Sequence, residues 1–133
     1  MSPTNGEAPL KSEHDIVVAR QIVRKLTQEL GFSLVDQTKM VTAASELARN
    51  AYTYGRGGTM TWEKVTRPDR VGLMLRFSDD GPGIPDLDLA MTDGWTSGSG
   101  LGLGLTGAKR LVNEFEIDTK VDGGTRVTIS RWK

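Results

Sequence analysis

Residues 79–107 read DDGPGIPDLDLAMTDGWTSGSGLGLGLTG and hold eight of the 16 glycines in this 133-residue chain. Average usage is about 7% glycine, so this clustering is the feature from which the reading starts. The stretch opens on Asp79-Asp80-Gly81-Pro82-Gly83, a D-x-G-x-G run at the end of a strand-like segment. There an aspartate can accept a hydrogen bond while the glycines let backbone approach a flat ligand. It closes on Gly98-Ser99-Gly100-Leu101-Gly102-Leu103-Gly104, with glycine at four alternate positions ahead of a helix. Unpaired N–H groups near the positive end of that helix suit phosphate oxygens. A flexible linker would not interleave leucines in this way. The lysine of a P-loop is missing, no Lys or Arg occurs from Phe77 to Ala108, and no parallel βαβ context supports a Rossmann fingerprint. Between the boxes, Gly81 to Gly100 reads as a long loop broken by Leu87 to Met91.

Upstream, apolar residues recur at Ile16, Ala19, Val23, Leu26 and Leu30, between Asp15 as N-cap and Gly31. That is the spacing of an amphipathic helix. Its other face carries Arg20, Arg24, Lys25 and Gln28, a solvated or partner-facing surface. A second helix starts near Ser33, spaced from Asp36 as in a capping box, and runs to about Tyr54, where Gly55, Gly57 and Gly58 break it. Met40, Ala44, Leu47, Ala48 and Ala51 form its apolar stripe, and Glu46 and Asn50 point almost away from that stripe. On a polar helix face such a pair is usually plain surface. A carboxylate and an amide oxygen one turn apart nonetheless suit Mg²⁺, which takes few protein ligands beside waters and phosphate oxygens.

Downstream, Thr59 to Thr66 and Val71 to Ser78 read as strands joined through Arg67, Pro68 and Asp69. A third helix is expected from Leu101 to Phe115, then strands over Phe115 to Val121 and Thr125 to Trp132 around the turn Asp122-Gly123-Gly124. Met1 to Pro9, with two prolines, a glycine and no apolar period, is expected to be a disordered tail, which leaves residues 10–133 as the domain. The expected order is strand, helix, helix, strand, strand, loop, helix, strand, strand, with no residues assigned to the first strand. The expected fold is a two-layer α/β sandwich with a mixed, largely antiparallel sheet and its helices on one face.

Composition narrows the function. Lys plus Arg total 17 and Asp plus Glu total 17, so no excess field draws the chain to nucleic acid or an anionic membrane. Without cysteine there is no disulfide framework, thiolate zinc site or cysteine nucleophile, and the single histidine, His14, makes no histidine-rich metal site. No apolar run approaches the ~18 residues of a membrane span, and no basic-then-apolar leader opens the chain. A cytoplasmic protein is expected.

Glu46 to Asn50, Asp79 to Gly83 and Gly98 to Gly104, in this order, resemble the N box and two glycine boxes of the ATPase superfamily shared by gyrase, heat-shock chaperones, histidine kinases and MutL. Within it, VDQTKMVTAASELARNAYTYG, DDGPGI, DGWTSGSGLGLGL and KRLVNEF, from about Leu10 to the C-terminus, most closely resemble the RsbT-type switch kinases of stressosome signalling. The anti-sigma kinases SpoIIAB and RsbW share the boxes but usually have a basic residue in the lid and a histidine after the N box. Here Tyr54 stands near that place and the lid is uncharged to acidic.

The resemblance implies the Bergerat ATP-binding fold, ATP or ADP with Mg²⁺, and phosphorylation of serine or threonine on STAS-domain scaffold and antagonist proteins. It further implies activation of a metal-dependent phosphatase once the kinase is released. By the same resemblance Asp79 accepts from the adenine amino group, with Gly81, Gly83 and Thr125 around the base. Asn50 holds Mg²⁺ and Glu46 is the general base. The backbone of Gly98, Gly100, Leu101, Gly102, Leu103 and Gly104 closes over the phosphates, with Gly94 to Ser99 as lid. Arg49, Lys109 and Arg110 stay outside the catalytic set, Arg49 as a surface ion pair. Histidine autophosphorylation is disfavoured, since His14 opens the first helix and no phosphoacceptor helix pair precedes it. The alternatives are an anti-sigma factor kinase and a non-catalytic, nucleotide-gated binding switch.

Overall fold

The computed structural model of the chain describes residues 2–84, 91 and 101–133. Their elements are β1 (Asn5–Leu10), α1 (Glu13–Glu29), α2 (Leu34–Thr53), β2 (Gly58–Thr66), β3 (Val71–Asp79), α3 (Leu101–Arg110), β4 (Glu114–Lys120) and β5 (Gly124–Trp132). The strands form one sheet in the order β1-β2-β3-β5-β4. Every described pairing is antiparallel, so the sheet is not mixed over these residues.

Period-two alternation gives the sheet one apolar face. Met60 of β2 lies opposite Phe77 of β3, and Leu75 of β3 opposite Ile129 of β5, and all four are buried. Against them pack Ile16, Ala19, Val23 and Leu26 of α1 and Met40, Ala44, Leu47, Ala48 and Ala51 of α2, the two stripes expected from the sequence. Each large aliphatic buried here contributes about 1.5–3 kcal/mol. The result is the two-layer sandwich, helices on one side. On the other side of the sheet, the Arg70 guanidinium sits 3.7 Å from the Trp132 ring centroid, and Trp132 Nε1 donates to Glu114. Trp62 packs against the core, and Trp95 lies outside the described residues.

Three expectations need correction. The N-cap of α1 is Ser12, whose Oγ accepts from the Asp15 N–H at 3.1 Å, while the Asp15 carboxylate accepts from the Lys11 N–H at 2.8 Å. Asp15 is thus an acidic residue inside the first turn, where it also suits the helix dipole. Second, α3 ends at Arg110, not Phe115. Asn113 leaves the helix to bind β5, its N–H donating to Ser130 O and its side chain accepting from the Trp132 N–H, so Phe115 belongs to β4.

The third correction concerns the N-terminus. Asn5–Leu10 is an ordered edge strand, with Ala8 and Leu10 buried. Its short, proline-containing sequence has too few apolar residues to show a period, and Pro9 is tolerated because the strand is at an edge. Ahead of it, Ser2 donates through both N–H and Oγ to Glu29, which also meets Lys64 Nζ at 2.9 Å.

The Lys64 ammonium and the Ser2 donors hold Glu29 down at about 2, against an ordinary 4.5. A depressed carboxyl contributes stability that is complete above the unfolded pKa and lost as pH falls through the folded one. The Glu29 contribution should therefore fade between pH 4.5 and about 2. Lys64→Met should lower thermal stability at neutral pH and flatten its decline across that acid window. Parallel melting curves of wild type and variant would contradict the assignment.

Candidate functional site

One pocket, about 430 Å³ of space including its open mouth, lies where α2, α3 and the middle of the sheet meet. Helix α2 supplies Leu47, Asn50, Ala51 and Tyr54, spaced i, i+3, i+4, i+7, so Asn50 borders the apolar stripe and does not point almost away from it as expected. Strand β3 adds Phe77 and Asp79, strand β5 adds Thr125 and Val127, two residues apart in each case and so on one face. Gly83, Ile84 and Leu105 complete the wall. Sequence reasoning put Asn50, Asp79, Gly83 and Thr125 at a common site, and the fold brings all four together. It missed the apolar walls, although the same periodicities, extended one turn or two residues from each of these positions, point to them.

Asp79 is half-buried at the end of β3. Its Oδ1 accepts from the Gly81 N–H at 2.9 Å. Burial pushes its carboxyl above the ordinary aspartate range, and the Gly81 and Thr125 N–H groups only partly offset this. Gly55 packs directly on this side chain, where a Cβ would collide with the carboxyl group, and a Cβ on Gly81 would come within 2.6 Å of the Gly55 Cα. Gly83 has φ +76°, and a side chain there would run into Lys120 O. The D-x-G-x-G glycines are therefore required by close backbone approach and, at Gly83, by backbone conformation.

Behind this turn runs a second polar link that the sequence did not reveal. The Ile84 N–H donates to Thr119 Oγ1 at 2.9 Å, and Thr119 Oγ1 lies 2.9 Å from Thr125 Oγ1. Thr119 on β4 thus ties the segment after the turn to the pocket threonine. Only the Thr119↔Thr125 register shows this.

At the helix side, Asn50 is partly buried and its Nδ2 has no hydrogen-bond partner among the described residues. A buried unpaired amide costs about 1–3 kcal/mol, which a ligand atom at this position would recover. Gly104 of α3 faces it, since a Cβ there would lie 3.1 Å from both Asn50 side-chain termini and 3.4 Å from Glu46 Oε2. The N box and the second glycine box thus meet at Gly104, with Glu46 exposed at their rim. Leu101, Gly102 and Leu103 form the first turn of α3. Gly98, Gly100 and the lid at 94–99 lie outside the described residues. Arg49 pairs with Glu13 at 3.6 Å across exposed surface, as expected of a surface ion pair.

A metal held by several His, Cys, Asp or Glu side chains has no candidate among the described residues. The donor set fits Mg²⁺ in its other habit, with one amide oxygen, that of Asn50, beside phosphate oxygens and water. Asn50 Nδ2, unpartnered among the described residues, leaves a buried donor for a ligand oxygen.

Residues 35–133 match the family described as histidine kinase-, DNA gyrase B-, and HSP90-like ATPases. The serine/threonine-protein kinase RsbT of Bacillus subtilis (strain 168) is 44% identical over 123 residues, 92% of either chain. A solved structure of the RsbU and RsbW domains of Rv1364c from Mycobacterium tuberculosis shares the fold, with a TM-score of 0.67 at 20% identity. It covers 99% of this chain, which spans 33% of that longer protein. The chain therefore belongs to the histidine kinase-, gyrase- and HSP90-like ATPases, and within them to the RsbT-like serine/threonine-protein kinases.

Two helix glycines should separate packing from function. Gly104→Val places methyl groups where Asn50 and Glu46 stand, and phosphotransfer should fall by about 10- to 100-fold, the scale of a misplaced reacting group. Among the described residues nothing lies within 4 Å of a Cβ at Gly107. Gly107→Ala should leave activity alone and raise stability by up to about 1 kcal/mol through helix propensity. Thermal melts and phosphotransfer rates on both variants check the pair, and full activity in Gly104→Val would refute the close approach.

Proposed function

We propose that the chain is an ATP- and Mg²⁺-dependent serine/threonine kinase acting on STAS-domain partners of a stressosome-like partner-switching module. When released from them it docks on and activates a metal-dependent phosphatase. The observation that carries the reading is the buried Nδ2 of Asn50, without a partner among the described residues and facing Gly104 at one side of a pocket that also holds Asp79. Among the described residues no helix is long and apolar enough to cross a membrane, and the proposed site of action is the cytoplasm.

In this reading the Asp79 carboxylate accepts from the adenine amino group, and the apolar walls from Leu47, Ala51, Phe77 and Val127 cover the ring faces. Gly81, Gly83 and Thr125 shape the rest of the base site. Asn50 offers Oδ1 to Mg²⁺, which supplies charge neutralisation on the phosphates, and Nδ2 to a phosphate oxygen. The backbone N–H groups at the start of α3, from Gly100 to Gly104, meet the phosphates, with Gly98 in the closing loop. Glu46 takes the proton of the acceptor hydroxyl as its oxygen bonds to the γ-phosphorus. The bond from that phosphorus to the bridging oxygen breaks and ADP departs with the electron pair.

The direct test is the intact mass of purified STAS-domain proteins after incubation with MgATP and this chain. A gain of one phosphate, absent without the chain, supports the kinase. No gain on any of them, with ATP binding demonstrated, would leave a nucleotide-gated binding switch.

A further inference from the structure

The hydroxyl of Thr125 faces the same pocket as the Asp79 carboxylate, and the direction of its hydrogen is set from outside that pocket. In the sheet Thr125 stands opposite Asp79 on one side and opposite Thr119 on the other. Asp79 and Thr125 line the pocket, whereas Thr119 is not part of its wall. Among the described residues three groups meet the partly buried Thr119 Oγ1: the Ile84 N–H at 2.9 Å, Thr125 Oγ1 at 2.9 Å and Gly124 O at 3.3 Å.

Counting hydrogens fixes the sense of this chain. A threonine hydroxyl has one hydrogen to give and two lone pairs to offer. The Ile84 amide only donates, so it takes one lone pair of Thr119 Oγ1, and the single Thr119 hydrogen goes either to Gly124 O or to Thr125 Oγ1. An O–H···O bond extends to about 3.0 Å, which the Thr125 contact satisfies and the Gly124 contact exceeds. A donor already bound to Thr119 Oγ1 also strengthens its own O–H as a donor. Thr119 therefore donates to Thr125, and the Thr125 hydrogen is left for the pocket. The Ile84 amide is held in place by a second tie between its segment and the β4–β5 turn, the Asp122 N–H on Pro82 O at 2.9 Å. On the Asp79 side the Gly81 and Thr125 N–H groups hold the carboxylate, so an acceptor and a hydroxyl donor stand next to each other at fixed places.

We infer that Thr119 is a positioning residue for nucleobase recognition: it makes the Thr125 hydroxyl a donor, so that Asp79 and Thr125 together read an amino group and a ring nitrogen beside it. The inference rests on the adenine-nucleotide reading given above. The adenine amino group brings the donor for Asp79 and is flanked by two acceptor nitrogens, N1 and N7, either of which suits a donor at Thr125. A water between Thr125 and the ring changes nothing in this logic. It would spend one hydrogen on the ring nitrogen and one on the Asp79 carboxylate, and would need the same Thr125 donor.

The test is a calorimetric titration of the full chain with ADP, 1-deaza-ADP and 7-deaza-ADP in the presence of Mg²⁺. It compares wild type, Thr119→Ser, Thr119→Asn and Thr125→Val. The serine keeps the hydroxyl. The asparagine turns its carbonyl oxygen to the Ile84 N–H, and that oxygen then accepts the Thr125 hydrogen and withdraws it from the pocket. Wild type should bind one of the two analogues about tenfold more weakly than ADP, the scale of one hydrogen bond, and Thr119→Ser should keep that ratio. Thr119→Asn and Thr125→Val should bind ADP about tenfold more weakly than wild type and should no longer distinguish it from that analogue. A Thr119→Asn variant that weakens ADP and the analogue alike, with the wild-type ratio intact, shows a merely structural residue and overturns the inference. If that variant does not fold, Thr125→Val carries the same comparison, and an intact ratio there overturns it too. ADP binding by wild type with no loss on either analogue overturns the inference and leaves the nucleotide site standing, whereas no ADP binding by wild type overturns both.

Discussion

Glu46→Ala is expected to lower phosphotransfer to protein acceptors by about 10²- to 10⁴-fold, the range for losing a positioned general base, with ATP still bound. The separation follows from place. Glu46 is exposed at the rim, while the pocket walls and Asp79, which are proposed to hold the adenine, lie behind it. Its carboxylate is close enough to α3 that a Cβ on Gly104 would touch Oε2, so a phosphate gripped at the start of α3 would have this oxygen beside it. Glu46→Gln keeps the volume and the hydrogen-bonding reach but cannot take a proton, so it should lose nearly as much. Calorimetric ATP binding and the mass of the acceptor, measured on the same samples, check both halves. Unchanged turnover in the alanine variant removes Glu46 from the role, whereas loss of ATP binding would make it a ligand-holding residue.

Asp79→Asn is expected to abolish measurable ATP binding while leaving the protein as stable as wild type or more so. An adenine amino group brings a donor, and in the proposed reading the carboxylate oxygen not engaged by Gly81 is its charged acceptor. In the asparagine variant Oδ1 can keep the Gly81 N–H, but the second atom becomes an NH₂ that faces the amino group donor to donor. Stability moves the other way. Burial raises the Asp79 pKa, so the folded state binds the proton more readily than the unfolded chain does. A carboxyl raised in this way gives stability below its unfolded pKa that is lost as pH rises through the folded value. At neutral pH the ionised form is a cost that asparagine removes. A normal ATP titration, or a variant that melts well below wild type, would count against this account of the residue.

How much of this was legible beforehand depended on whether the signal was local. Ser33 capping α2, the stripe from Met40 to Ala51 and the β2–β3 hairpin all rest on contacts a few residues apart, and all stand. Of the three failures, the first was a choice between two neighbouring residues, and the other two were decided by a distant group. Ser12 displaced Asp15 as the cap of α1, although both were present in the sequence. Helix α3 stops early because Asn113 finds backbone partners on β5, 17 and 19 residues away. Strand β1 exists because β2 offers it a ladder about 50 positions along the chain.

The sequence by itself determined which residues are the candidates for chemistry. A carboxylate and an amide one turn apart, an aspartate before two spaced glycines and a glycine-rich helix start are local patterns whose meaning does not depend on folding. Tertiary structure decided what those patterns do together. It left Asn50 Nδ2 buried without a partner among the described residues, stood Gly104 against it, and half-buried Asp79 so that its pKa rises. It also set Thr119 beside Thr125. Desolvation and close approach are properties of the space between elements, and no periodicity along a chain encodes that space.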